Sequence, residues 1–209
     1  VRAEPYGAAN PYRPFRDPVR TLLGVERSDE ETMARQLLGA VRRYAPELLP
    51  LAPLLGDIAQ VDVPSTPESA AIEPRFRQAR AIDTFIRLLE VIHPEPLVIV
   101  GDDMHWADAA TESLIDRLVR GSASHPWLVV QTCRNLIHHE AVTTLPLEPF
   151  DEERARNLVN AATEAAPLRP DAVDAIVDRS GGNPLFILEL VKIAGDTGDV
   201  SSLPTSLDG

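Results

Sequence analysis

The sequence holds one cysteine, Cys133, and one lysine, Lys192, among its 209 residues. A single thiol excludes an internal disulfide framework, and a structural zinc site of the Cys-rich kind has no ligands to draw on. The lone lysine excludes something more specific. A phosphate-cradling loop of the form Gly-x-x-x-x-Gly-Lys-[Ser/Thr] needs backbone N–H groups, a lysine and a hydroxyl together. Lys192 stands instead between Val191 and Ile193, with no glycine-rich loop before it. Long apolar runs are missing too. The longest, Leu97-Val98-Ile99-Val100 and Leu128-Val129-Val130, are strand-sized and far short of the roughly 18–20 residues a membrane helix needs. The five histidines lack the His-Glu-x-x-His spacing of a zinc protease. Basic charge is also short: 20 Lys and Arg against 32 Asp and Glu leave a net charge of −12. That balance argues against wrapping nucleic acid through its phosphates. The local groups Arg13, Arg16, Arg20 and Arg75, Arg77, Arg80 read as solvated helix faces. The chain opens Val1-Arg2-Ala3-Glu4-Pro5 with neither a starting Met nor a leader; a fragment or processed piece of a cytoplasmic protein is the expectation.

What is present is a globular composition, 44% hydrophobic and 25% charged. Its length suits one ordinary domain and a small second one. Pro5, Pro11, Pro14 and Pro18 predict an irregular start over 1–17 with a short helix over 19–23. Residues 30–44 read as a helix with Met33, Leu37, Leu38 and Val41 on one face. The proline-rich stretch 46–74 reads as loop, holding a short helix near 51–58. Residues 75–92 carry Phe76, Ala79, Ile82, Ile86 and Leu89 at helical spacing. The run 97–100 and then 127–132 predict strands buried on both faces, with a helix between them capped by Asp108 and ended by Gly121. Such alternation marks a parallel α/β sheet, and 142–147 suits one more short strand. After Phe150 the pattern turns helical: a helix capped by Asp151, one started by Pro170 and ended by Gly181-Gly182, and one started by Pro184.

The chemistry concentrates at Val98-Ile99-Val100-Gly101-Asp102-Asp103. Two carboxylates at the C-terminal end of a parallel strand lie on the edge where open α/β sheets bind ligands. Adjacent acids there suit a hard cation and an activated water; the plainer alternative is a strand ending in a capped turn. The next strand ends in Thr132-Cys133-Arg134, which offers a fixed positive charge to a phosphate. Ser180-Gly181-Gly182-Asn183-Pro184 is a tight turn between helices, adequate as a helix end followed by a proline-started helix.

Together these segments resemble a known family. Asp102-Asp103-Met104-His105-Trp106-Ala107-Asp108 resembles the extended Walker B segment of bacterial signal-transduction ATPases with numerous domains (STAND). Val129 to Arg134 resembles their sensor-1 strand, which ends in Thr-x-Arg. Ser180 to Phe186 resembles the Gly-x-Pro turn of their helical lid. Glu4-Pro5-Tyr6-Gly7-Ala8-Ala9-Asn10-Pro11-Tyr12-Arg13-Pro14-Phe15-Arg16 is similar to a segment of modules that follow class III adenylate/guanylate cyclase domains; LuxR-type regulators carry similar modules. The resemblance implies a P-loop NTPase α/β core over 1–150, lacking strand 1 and the P-loop, a helical lid over 151–195 and a flexible tail or linker over 196–209. It implies Mg²⁺ and ATP as cofactors, Asp102 as the metal-associated acid, Asp103 as the water-orienting acid, Arg134 as the sensor-1 arginine, and Gly182 and Pro184 as the lid turn near the adenine. Asp102 stands where Glu is usual, and Gly101 where an apolar residue is usual.

The family's P-loop lies upstream of the Glu-Pro-Tyr-Gly segment, so the expectation is a module truncated before Val1, marginally stable and prone to aggregate because a central strand is missing. Such a chain is expected to bind ATP weakly and hydrolyse it negligibly. The expected role is an ATPase switch in a multidomain signalling protein, partnered by a cyclase or DNA-binding effector and a repeat sensor, and contacting neither nucleic acid nor membrane itself. Two other readings stand beside it: a degenerate, non-enzymatic scaffold, and a metal-dependent phosphohydrolase built on Asp102, Asp103, His105 and the His138-His139 pair.

Overall fold

The computed structural model describes residues 1–5, 10–134 and 141–197. They belong to two compact units, Val1–Thr144 and Leu145–Gly209, each with its own hydrophobic core. No helix among the described residues is long and apolar enough to cross a membrane.

In the first unit, helix α1 (Arg13–Leu22) starts earlier than the prolines suggest. Pro14 sits in the first turn, where backbone N–H groups have no intrahelical partner anyway. Pro18 is accepted inside the helix while Phe15 and Val19, four residues apart, are buried. Helix α2 (Glu30–Tyr44) has the expected bounds, with the Asp29 carboxylate accepting from Thr32 N at its start. Helix α3 (Ala52–Ala59) and the short α4 (Pro67–Ala70) lie within the proline-rich stretch. Helix α5 (Pro74–Ile92) buries Ile82, Ile86 and Leu89, as its periodicity predicts. Phe76 and Ala79 are exposed instead of packed inward; Phe76 lies under the Arg75 guanidinium, 4.6 Å from its ring centre.

Strands β1 (Leu97–Gly101) and β2 (Trp127–Gln131) pair in parallel, Leu97 opposite Trp127 through Gly101 opposite Gln131. Helix α6 (Ala109–Gly121) makes the crossover between them. On the other side of β1 the N-terminal segment adds a single parallel bridge, Arg2 to Asp102. There Ala3 N donates to Asp102 O at 3.0 Å and Asp102 N to Val1 O at 2.9 Å. The spatial order is therefore N-terminal segment, β1, β2.

Burial of the strands on both faces does not hold. Leu97, Ile99, Trp127 and Val129 pack into the helical core. On the opposite face Val98 is 59%, Leu128 56%, Val100 50% and Val130 42% exposed, because no helix among the described residues covers it. Residues 142–147 likewise form no strand: Leu145 and Leu147 are exposed, and no described strand at the outer edge of β2 is there to pair with them.

The second unit is a helical trio, α7 (Glu152–Ala162), α8 (Pro170–Ser180) and α9 (Pro184–Thr197). Its core includes Ala155, Val159, Ile176, Ile187 and Leu190. Asp151 caps α7 through Arg154 N, Pro170 occupies the first turn of α8, and Gly181 ends that helix in the left-handed conformation. The Asn183 side chain accepts from Leu185 N and Phe186 N and so starts α9.

Candidate functional site

The apolar run of β1 brings its chain to Asp102 and Asp103 at the C-terminal edge of the sheet. Gly101 permits the turn that follows, since a Cβ there would lie 2.8 Å from Met104 Cγ, and Met104 is buried. Asp103 adopts the left-handed conformation, with φ 55° and ψ 35°. That costs an L-residue something, least for Asn and Asp, and such strain gathers at functional sites. Two hydrogen bonds hold the turn: Met104 N donates to Thr132 O at 2.9 Å and Trp106 N to Asp103 O at 3.0 Å.

Thr132, just past β2, ties both acids together. Its hydroxyl donates to Asp102 Oδ1 at 2.6 Å and accepts from Asp103 N at 3.0 Å. Its own N–H donates to Gly101 O at 2.8 Å. On the other flank, Arg2 Nη2 lies 3.2 Å from Asp103 Oδ2 and Arg2 Nε 3.6 Å from Asp102 Oδ2. The Thr132 hydroxyl, with help from the Arg2 guanidinium, holds the Asp102 carboxyl below the ordinary carboxylate range. Both carboxylates are roughly half exposed, 47% and 40% by side chain, and so accessible to a ligand.

The donor set fits Mg²⁺ only as part of a complex. Hard carboxylate oxygens suit it, and Mg²⁺ is commonly held by one or two carboxylates plus phosphate oxygens and water. No group of three or more His, Cys, Asp or Glu side chains among the described residues could hold a metal ion alone. The phosphohydrolase reading also needs the His138-His139 pair, which lies outside the described residues. Both ring nitrogens of His105 are buried without a hydrogen-bond partner.

Asp108 has a structural task. It is buried and accepts from Ala110 N at 3.0 Å, Thr111 N at 2.9 Å, Thr111 Oγ1 at 2.5 Å and Tyr12 N at 3.3 Å. It thereby caps α6 and pins the start of α1. Arg134 is exposed, two residues beyond Thr132, and makes no ion pair with the acids. Gly182 and Pro184 belong to the second unit. Phe150 N donates to Gly182 O at 2.8 Å, and a Cβ on Gly182 would collide with Phe150 O. The turn is thus bound closely to the segment entering α7. A cavity of about 320 Å³ opens between α6 and the end of β2, with Met104, His105, Ile115, Val119, Gln131 and Cys133 among its walls. Neither acid lines it, so the exposed strand tip, not this cavity, is the candidate site.

Sequence reasoning missed two participants. Arg2 carries no motif of its own, and its nearness to the acids follows only from the position of the N-terminal segment beside β1. Thr132 is visible as the first residue of Thr-x-Arg, but its two hydrogen bonds, to the Asp102 carboxylate and from the Asp103 N–H, depend on the register of β1 against β2.

A sequence-family model described as an AAA ATPase domain matches residues 2–130. The match takes in Arg2, Asp102 and Asp103 and stops just short of Thr132. An uncharacterized protein of Rhizobium meliloti is 32% identical over 128 residues, 57% of this chain. The matched part is 12% of that relative's length, so the chain spans a small fraction of it. No solved structure matches the chain.

Proposed function

The chain belongs to the AAA ATPase domain family, and from that membership we propose that it is the ATP-binding switch module of a multidomain signalling protein. The observation that carries this is the acid pair at the tip of β1, ordered by one threonine hydroxyl and open to solvent. Asp102 would stand beside Mg²⁺, which when bound offsets phosphate charge. Asp103 would orient a water and accept its proton. Thr132 would keep the two carboxylates in register, and Arg134 would meet the γ-phosphate from the neighbouring strand end.

The phosphates themselves need a cradle that these 209 residues do not contain. The bare apolar face of β1 and β2 supports the remaining piece: a further strand and helix of the same polypeptide, bringing the P-loop, would bury Val98, Val100, Leu128 and Val130. ATP and its hydrolysis would then set the state of an attached effector, a cyclase or a DNA-binding domain, in response to a repeat sensor.

Calorimetry of Mg·ATP with this chain, and with a version extended upstream through a P-loop, tests the proposal. Binding only by the extended version supports it. Binding by neither favours the second reading, a non-enzymatic scaffold.

A further inference from the structure

The site carries a resident cation. Arg2 reaches both carboxylates at once, 3.2 Å from Asp103 and 3.6 Å from Asp102. Its backbone is fixed there by the bonds that flank it, Ala3 N to Asp102 O and Asp102 N to Val1 O. The side chain, in contrast, is 71% exposed and, among the described residues, bonded to the acids alone, so it can swing away while the backbone stays. Its charge offsets one of the two carboxylate charges. A bare divalent ion therefore meets less negative charge than the acids alone would offer, and it must also displace the guanidinium. Among the described residues too few protein ligands stand nearby to repay that displacement.

We propose that Arg2 is a positioning residue that makes the Asp102–Asp103 tip discriminate against a bare divalent cation in favour of a cation carried by an anionic phosphate ligand. The inference rests on reading the acid pair as a metal-associated site. When the ion arrives with a phosphate group, the guanidinium released from the acids has an anionic oxygen to pair with, which the bare ion does not provide. Arg2 thus opposes loading by the ion alone and does not oppose loading by the complex. Because the pair is exposed, the effect is modest and sensitive to salt.

The test is a Mg²⁺ titration without nucleotide, followed through the backbone amide NMR shifts of Asp102 and Asp103, on the wild-type chain, Arg2→Ala, Arg2→Lys and Asp102→Asn. At low ionic strength Arg2→Ala should bind Mg²⁺ about two- to fivefold more tightly than wild type. Arg2→Lys should restore most of the wild-type weakness, and added monovalent salt should narrow the gap. Asp102→Asn should weaken binding, which locates the ion at the tip. If Asp102→Asn weakens binding and Arg2→Ala leaves it unchanged or weaker, the metal-site reading stands and the role of Arg2 is overturned. If no variant shows binding that depends on Asp102, both fall.

Discussion

Thr132 Oγ1 donates to Asp102 Oδ1 at 2.6 Å while accepting from the next residue's N–H, so one hydroxyl of β2's end sets the conformation of both acids on β1's end. That bond is the first cause of the lowered Asp102 pKa. Thr132→Val keeps the shape and removes the donor. Asp102 should then titrate closer to the ordinary carboxylate value of about 3.9, as read by side-chain carboxyl NMR. The stability consequence has a definite sign. A carboxylate whose pKa is lower in the folded state stabilises that state above its unfolded pKa, and loses the effect as pH falls through the folded value. Wild type and Thr132→Val should therefore differ at neutral pH and converge in acid. A gap that persists unchanged in acid would show that the hydroxyl acts through packing alone.

Asp108 should matter for stability and little for ligand chemistry. Removing the cap with Asp108→Ala should cost about 1–2 kcal/mol of unfolding free energy in denaturant titrations. Asp108→Asn, which keeps an acceptor, should cost less. A loss of nucleotide binding by a fully folded Asp108→Asn would place this residue in the site instead.

The two glycines of the second turn should behave differently. Gly181 has φ +55° and open space where a methyl group would go, whereas Gly182 has φ +78° and the Phe150 carbonyl in the way. Gly181→Ala should cost about 1 kcal/mol through backbone strain alone. Gly182→Ala should cost about 2–4 kcal/mol, since steric crowding is added. Hydrogen exchange at α8 and α9 amides reads both.

The bare sheet face should drive self-association of the isolated chain. Val98 lies directly opposite Leu128, so the double change Val98→Lys, Leu128→Glu places opposite charges side by side. Light scattering and binding of an apolar dye should fall, with unfolding free energy changed by about 0.5 kcal/mol or less, as for exposed positions. A large loss of stability would mean that the face is covered in solution.

The legible parts of the sequence are those where local physics and tertiary packing agree. Helix α2 has its periodic face within its own residues, and its bounds agree with the reading made from that face. The parallel β1–α6–β2 unit is equally readable, because β-branched runs separated by a capped amphipathic helix have few other uses. The start of α1 was not readable, since proline in a first turn looks like a helix breaker unless the turn's position is already known. The one-sided burial of β1 and β2 escaped for a different reason. A run such as Leu97-Val98-Ile99-Val100 reports that both faces are apolar, not what covers them. At the site, the acids are visible from composition at a strand end, while Arg2 and Thr132 act through neighbouring strands and emerge only with the register.

In the proposed ATPase, Asp103 serves hydrolysis at a tip where Asp102 serves ion binding. Single-turnover hydrolysis of Mg·ATP by a version extended upstream through a P-loop, wild type against Asp103→Asn, is the sharpest test. Asn is tolerated in the left-handed conformation that Asp103 adopts, so the fold should survive. Asp103→Asn should bind ATP with affinity near wild type and hydrolyse it at least about 100-fold more slowly, the scale of a lost general base. Hydrolysis at the wild-type rate by a folded Asp103→Asn protein would contradict that role.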